Sequence, residues 1–352
     1  MRRASFLTFV CVLAGAAVFA WLASPIVAQA PAVKAAQSSK TYVVPRTSWG
    51  DPDLQGLWPA TDMINVPVQR DAKLGTRSVL TDEEYKQQQD RAERTTEADA
   101  EQFVKPGTKA GINPPSYWLE HGKPTHQASL VIDPPDGRTP PLTKQASDAV
   151  AKVRAEKQAR GNPVGDKPED QSFYIRCISR GVMGSILPVI YNNGNQIIQS
   201  PGMVAIRYEM IHETRVIPLD GSPHVAKNVR SYMGDPRGHW EGDTLVVETT
   251  NFVGGTNGIG LNGGGNPHSA NMRLIERFTR ISDKTIQYTA TIDDPETWVK
   301  PWTVSYPLNR DNGFQVYEYA CHEGNYGLLD ILSGARADEK KAAAAKATGS
   351  QQ

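Results

Sequence analysis

The sequence predicts a mainly β protein, folded as an antiparallel barrel or sandwich with an insertion of helices and loops. Residues 201–325 form a series of strand-length segments, GMVAIRYEMIHETRVIPLDGSPH, GHWEGDTLVVETTNF, NMRLIERFTRISDKTIQYTATIDDP and WTVSYPLNRDNGFQVYEYACHEGN. Gly-Asp and Ser-Asp-Lys turns join strand to strand, which is the pattern of consecutive antiparallel strands. Five of the seven histidines lie in this stretch. A barrel filled by its own side chains needs no histidine inside, so we interpret the stretch as a container for a ligand or a reaction.

The first 30 residues predict a secretory signal peptide. A basic start at Arg2 and Arg3 precedes an apolar stretch over 6–23, and Ala28-Gln29-Ala30 supplies a small-x-small cleavage site. The alternative is an uncleaved membrane anchor, because the apolar run approaches spanning length. Pro25 and the cleavage site directly behind it favour cleavage. We therefore expect a mature chain that is exported, to a bacterial periplasm, and has no membrane span.

The chain divides into five predicted parts. They are a signal peptide over 1–30, a flexible lead-in over 31–50, a first strand with a helical and proline-rich layer over 51–170, the β-barrel block over 171–334, and a disordered tail over 335–352. The lead-in and the tail lack the periodic apolar residues that would bury against a core.

Two helices and a short strand are predicted within the second layer. The first helix, over 80–100, begins with Thr81 followed three residues later by Glu84, which is a capping box. The second helix covers 143–160, and a strand over 129–132 stops at a turn rich in proline, aspartate and glycine.

Two cysteines remain after the predicted cleavage, Cys177 and Cys321. In an oxidising compartment a leftover pair favours a disulfide. The loop it closes is so long that the chain-entropy gain reaches about 5 kcal/mol as an upper figure. The alternative is a pair of thiols that act as nucleophile or metal ligands, although neither belongs to a Cys-x-x-Cys motif.

The overall charge argues against nucleic acid as a partner. Lysine plus arginine and aspartate plus glutamate both number 38, so the formal net charge is zero. The basic residues are scattered and are not grouped with aromatic ones.

Strand alternation places one histidine inside the predicted barrel. If 204–216 is one continuous strand, its apolar face carries Val204, Ile206, Tyr208, Met210 and His212. An inward His212 is either a neutral histidine that is hydrogen-bonded in the core or a ligand-binding or acid–base group in a cavity.

Glu276 is the second residue that alternation places inside. It shares a face with Met272, Leu274 and Phe278. A buried carboxylate is costly unless it is paired, so we expect an inward histidine or arginine beside it. A raised pKa there would suit acid–base work, and structural pairing is the alternative. His212 and Glu276 are therefore the catalytic candidates.

Aromatic side chains and histidines at strand ends complete the candidate site. Flat aromatic walls favour an apolar or aromatic ligand. The ligand-binding candidates are Tyr208, Met210, His224, His239, Trp240, His268, Tyr288 and Trp302. No resident cofactor is predicted. A metal is a weaker alternative, because no two histidines have a tight ligand spacing such as His-x-His.

One short motif indicates the type of barrel. Gly56-Leu57-Trp58 resembles the Gly-x-Trp signature on the first strand of lipocalins, whose tryptophan plugs one end of the barrel. The resemblance implies a lipocalin-like, antiparallel up-and-down barrel, here with a helical and loop insertion after its first strand.

A wider resemblance covers nearly all of the chain after the signal peptide. The phrases GDPDLQGLW, LTDEEY, VIDPPDGRTPPLT, YEMIHETRVIPLDGSPH, GHWEGDTLVVETTNF and TIDDPETWVKPWTV occur in this order. They resemble a large family of exported bacterial proteins without an assigned activity. The resemblance implies a compartment and a barrel, but no reaction.

Two functional hypotheses follow, with a third in reserve. The first is an exported β-barrel protein that binds a small apolar or aromatic molecule in its interior. The second is an enzyme of the same fold, either cofactor-independent or metal-assisted, that uses His212 and Glu276 as an acid–base pair for hydrolysis, isomerisation or elimination. The third is a structural envelope protein without a cavity.

Overall fold

Two antiparallel β-sheets dominate the structure, which is a computed structural model describing residues 42–104, 119–160, 167–261 and 264–349. These residues belong to one compact unit, Ser38–Gln352. The predicted signal peptide over 1–30 lies outside the described residues. Among the helices in the described ranges, none combines the length and the apolar character needed to cross a membrane.

Four helices and twelve strands follow one another along the described chain. In chain order they are β1 (Gly56–Leu57), α1 (Asp82–Val104), β2 (Val131–Asp133), α2 (Lys144–Ala159), α3 (Gly181–Ile186), β3 (Asn195–Ser200), β4 (Met203–Tyr208), β5 (Thr214–Pro218), β6 (Asp235–Glu241), β7 (Thr244–Thr250), β8 (Gly255–Leu261), β9 (Gly264–His268), β10 (Arg273–Ser282), β11 (Thr285–Asp293), β12 (Trp302–Asn309) and α4 (Tyr326–Gly349).

The strands form a smaller and a larger sheet with a separate hairpin. The smaller sheet has the order β1-β3-β4-β5, and the larger sheet has the order β2-β12-β11-β10-β7-β6. Strands β8 and β9 pair only with each other in the described residues. Neighbouring strands run antiparallel throughout. The prediction of a mainly β, antiparallel fold is therefore confirmed. No closed ring of hydrogen-bonded strands is present among the described strands.

The core consists of the inward-facing residues of both sheets. Along β10 and β11 every second residue is buried, which is the alternation expected of strands with one covered face. Trp58, just after β1, is completely buried and donates its indole N–H to the carbonyl oxygen of Leu54 at 2.8 Å. The guanidinium carbons of Arg280 and Arg310 lie 5.7 and 4.8 Å from the centre of its ring. These contacts hold the Trp58 side chain in place in the core.

The helix starts agree with the sequence. The backbone N–H of Thr81 donates to the Glu84 carboxylate at 2.9 Å, and the N–H of Glu84 donates back to the Thr81 hydroxyl at 3.2 Å. This is the predicted capping box. Thr143 caps α2 through the backbone N–H of Ala146.

Both predicted flexible ends need correction where they are described. Residues 335–349 are not disordered but continue α4, because alanine, lysine and glutamate are strong helix formers. Ala335 on that helix is buried. In the lead-in, Val44 is buried and the Tyr42 hydroxyl donates to Asp283 at 3.1 Å, so this part of 31–50 packs on the larger sheet.

The predicted disulfide between Cys177 and Cys321 is present, with a Cα–Cα distance of 5.6 Å. It joins the segment before α3 to the segment before α4. Beside it, the amide of Asn325 donates to the carbonyl oxygen of Ile175 at 3.0 Å. The bond therefore fixes two loops that carry no strand of their own.

Candidate functional site

The structure corrects the predicted position of His212. Residues 204–216 are not one strand: β4 ends at Tyr208, Met210–His212 forms a 3-10 turn, and β5 begins at Thr214 and pairs with β4 as a hairpin. Ile211 and His212 have left-handed backbone angles, with φ of 58° and 46°. His212 is exposed, and its Nδ1 lies 2.9 Å from the carbonyl oxygen of Tyr319.

The turn also changes which residues of β5 face the core. Thr214 and Val216 are exposed, whereas Arg215 and Ile217 are buried. A chain reversal resets the alternation, so the inward set after the turn is the opposite of the one that a continuous strand predicts. Arg215 on β5, and not His212, is the polar residue that faces the core.

Glu276 is inside, as predicted, and its partner is Arg215. Both side chains are buried, with 0% and 2% of their surface exposed. Arg215 Nη2 donates to Glu276 Oε2 at 2.7 Å and Nη1 donates to Oε1 at 3.1 Å. The Tyr288 hydroxyl donates to Glu276 Oε1 at 3.0 Å, and Arg215 also donates to Tyr208 and Thr249. The pair spans the two sheets, because Arg215 comes from the smaller and Glu276 from the larger.

Electrostatics hold Arg215 in its charged form. Burial alone lowers the pKa of Arg215, but the adjacent Glu276 carboxylate outweighs it and holds that pKa above its ordinary value. Burial raises the pKa of Tyr208 and Tyr288, so both phenols stay neutral. The predicted acid–base pair is not assembled, because His212 is on the surface and Glu276 is bound to Arg215.

The other ligand-binding candidates fall into three groups: the buried network, the remaining core, and positions beside carboxylates. Tyr208 and Tyr288 are part of the buried network described above. Met210 and Trp302 are buried, and Trp240 packs partly buried against the core. His224, in the loop before β6, and His239, on β6, lie beside carboxylates, with Nδ1 of His224 at 3.0 Å from Asp235 and Nε2 of His239 at 3.2 Å from Glu241. These residues do not converge on one space.

His268, in contrast, lies in the wall of a small pocket among the described residues. The pocket is a shallow depression that is partly open to solvent and has room for about one water molecule. Its lining residues come from the segment before α3, the loop before β6, the loop after β7 and the end of β9: Phe173, Ser179, Gly181, Tyr232, Val253 and His268.

The chemical state of His268 follows from its contacts. The ring is 6% exposed, and burial lowers its pKa, so it is neutral at pH 7. Nδ1 lies 3.0 Å from the carbonyl oxygen of Ser269. Because a carbonyl only accepts, Nδ1 carries the hydrogen and Nε2 carries the lone pair. Within the described residues Nε2 has no hydrogen-bond donor, so it can accept one further hydrogen bond.

A second polar group of the pocket wall, the Ser179 hydroxyl, already makes hydrogen bonds within the protein. The Ser179 hydroxyl donates to Glu213 Oε2 at 3.0 Å and accepts from the backbone N–H of Gly181 at 2.9 Å. Burial raises the pKa of Glu213. The remaining lone pair of Ser179 can accept one further hydrogen bond. Ser179 and His268 therefore both offer acceptors, and the third polar side chain of the lining, Tyr232, has a hydroxyl that can donate or accept.

Sequence reasoning missed Phe173, Ser179 and Tyr232. None of them belongs to a strand or to a motif with a fixed spacing. The one available signal is the run of aromatic residues around Cys177, which the disulfide brings to the edge of the sheets. Among the described residues, no three histidine, cysteine, aspartate or glutamate side chains come together in a way that could hold a metal ion.

No family model, no curated protein and no solved structure matches this chain. The resemblance to exported bacterial proteins therefore remains a prediction from the quoted phrases, and the functional argument depends on the site itself.

Proposed function

We propose that the protein binds a small, flat and uncharged molecule in the pocket around His268. The observation that carries this proposal is a neutral, buried imidazole whose Nε2 is left as an acceptor in a pocket wall. The ligand is expected to hold an N–H or O–H group, because His268 and Ser179 both accept. The binding place is at the edge of the sheets and not in the interior, where Arg215 and Glu276 fill the space between them.

The aromatic lining supports a flat compound. The pocket itself admits about one water molecule, which is room for the N–H or O–H group of the ligand. Phe173 and Tyr232 meet edge to face, with ring centres 4.8 Å apart, and give the pocket an aromatic wall.

We also propose that the protein is a lipocalin-like barrel and that it is exported. Arg310, after β12, donates to the carbonyl oxygen of Gln55, just before β1, which supports an approach of the two sheets on that side. On the other side Gly238 of β6 leaves no room for a side chain, since a Cβ there would lie 2.6 Å from Leu219. These contacts support a flattened lipocalin-like barrel. The N-terminal sequence supports export to the periplasm.

The test uses phenol and its methyl ether, anisole, which lacks the hydrogen-bond donor. By calorimetric titration, phenol is expected to bind the wild type about fivefold more tightly than anisole, since one hydrogen bond to Nε2 contributes about 1 kcal/mol. In His268→Ala the two compounds are expected to bind equally weakly. His239→Ala changes an exposed histidine and should leave the preference intact.

The comparison of phenol with anisole distinguishes a specific hydrogen bond to His268 from nonspecific hydrophobic binding. Equal binding of the two compounds to the wild type would show that His268 contributes no hydrogen bond. A preference that survives in His268→Ala would place the ligand elsewhere.

A further inference from the structure

A buried arginine whose guanidinium lacks hydrogen-bond acceptors in the described residues lies next to the pocket-lining segment. Arg180 is 6% exposed, yet Nε and Nη1 have no hydrogen-bond acceptor in the described residues. Its neighbours in the chain, Ser179 and Gly181, line the pocket around His268. The Glu213 carboxylate accepts from the backbone N–H of Arg180 and from the Ser179 hydroxyl, but the Arg180 guanidinium forms no ion pair with it.

The other buried arginines of the described chain are supplied with oxygen acceptors. Arg215 is paired with Glu276, Arg70 donates to the carbonyl oxygen of Pro135 at 2.7 Å, and Arg280 donates to that of Asp53 at 2.6 Å. Each of these three guanidinium groups therefore has at least one oxygen acceptor, although Nε of Arg70 and of Arg215 lacks one in the described residues. Arg180 is the exception among these four.

Three tyrosines surround the guanidinium of Arg180. Its carbon lies 4.7 Å from the centre of the Tyr174 ring. The Tyr174 hydroxyl lies 2.7 Å from that of Tyr191 and 3.0 Å from that of Tyr319. We call Arg180, Tyr174, Tyr191 and Tyr319 the arginine–tyrosine cluster. Cys177 and Cys321, three and two residues away from Tyr174 and Tyr319, hold its two halves together.

The charge of the cluster is not balanced. Burial raises the pKa of each of the three phenols to about 12, so they are neutral at pH 7. Burial lowers the pKa of Arg180, but a guanidinium stays protonated at this pH. The stacking on Tyr174 recovers only part of the hydration that a buried cation loses. The cluster thus carries one positive charge and has hydroxyl groups that can donate to an anion.

We propose that the arginine–tyrosine cluster is a binding site for the carboxylate group of a small organic acid. A carboxylate matches the planar fork of a guanidinium, and its single negative charge balances the single positive one. A phosphate dianion would leave an excess negative charge among half-buried tyrosines. Tyr319, on a segment without regular secondary structure and half-buried, is the residue that moves to admit the ligand. The site is independent of the phenol-binding pocket.

Acetate is the probe, and acetamide is its uncharged counterpart. In NMR titrations acetate is expected to shift the Arg180 Nε–H signal with millimolar affinity, whereas acetamide is not. Arg180→Gln should lose acetate binding at least tenfold while its melting temperature is unchanged or higher, because an unpaired buried charge has been removed. Arg176→Gln, on the same segment, should bind acetate like the wild type.

A second variant keeps the test decisive if Arg180→Gln does not fold. Tyr319→Phe removes one hydroxyl donor and is expected to weaken acetate binding roughly fivefold, with the Nε–H signal still present. Equal shifts with acetate and acetamide, or unchanged acetate affinity in Arg180→Gln, would overturn the proposal. A stronger response to inorganic phosphate than to acetate would overturn its choice of ligand. Phenol binding in Arg180→Gln reports separately on the pocket around His268.

Discussion

Replacing Glu276 by alanine is expected to lower the free energy of unfolding by about 3–5 kcal/mol, because the change leaves Arg215 as an unpaired charge in the core. Arg215 makes two hydrogen bonds with this carboxylate and is 2% exposed, so water cannot replace the lost acceptor. Tyr288 loses its partner as well. For a chain of this size the melting temperature should fall by roughly 10 °C, as measured by calorimetry or by urea unfolding.

Two control variants show whether burial is the cause. Glu241→Ala removes a carboxylate that pairs with Arg277 at 2.7 Å but is about half exposed, and it should cost less than about 1 kcal/mol. The double variant Arg215→Met with Glu276→Leu removes both charges and should recover most of the stability. If Glu276→Ala is no more destabilising than Glu241→Ala, the ion pair does not hold the two sheets together.

The interior carboxylate could be predicted from the sequence because it depends on a local pattern. Leu274, Glu276 and Phe278 lie on one uninterrupted strand, and alternation along such a strand is set by backbone geometry alone. The structure confirms that all three are buried. The capping box of Thr81 and Glu84 also depends only on residues close together in the sequence, so the sequence predicts it as well.

The sequence predicts a histidine or arginine beside Glu276 but does not identify it as Arg215. The identity depends on a chain reversal whose sequence has none of the residues typical of turns. The sequence Glu209-Met210-Ile211-His212-Glu213 has no glycine, proline or asparagine, and its alternation resembles a strand. Left-handed backbone angles at Ile211 and His212 are uncommon for such residues. Once the chain reverses there, His212 becomes a surface residue and Arg215 takes the interior place.

The pocket and the arginine–tyrosine cluster depend on contacts far apart in the chain. Tyr174 and Tyr319 are 145 residues apart, and Ser179 and Glu213 are 34 residues apart. No periodic pattern joins such residues. The disulfide predicted from cysteine number and compartment was the only sequence feature that linked these two loops, and both proposed sites lie on the segment it fixes.

Replacing both Cys177 and Cys321 by serine is therefore the second change with a large expected effect. The two cysteines are separated by 144 residues, and releasing so long a loop should lower the free energy of unfolding by about 2–5 kcal/mol, chiefly because the unfolded chain gains freedom. Urea unfolding of the oxidised wild type and of the double variant measures this difference. Reduced wild type should resemble the variant.

Hydrogen exchange in the folded double variant distinguishes an effect on the unfolded chain from an effect on the site. The chain-entropy mechanism acts on the unfolded state and leaves the protection of 173–181 and 319–325 intact. Apart from contacts of the cysteines themselves, the hydrogen bonds that join these two segments to each other in the described structure are Asn325 to Ile175 at 3.0 Å and Tyr174 to Tyr319 at 3.0 Å. We therefore expect faster exchange in both segments, together with weaker binding of acetate. Unchanged exchange with a loss of global stability would mean that the disulfide stabilises the fold without shaping the cluster, because the tyrosines then assemble without it.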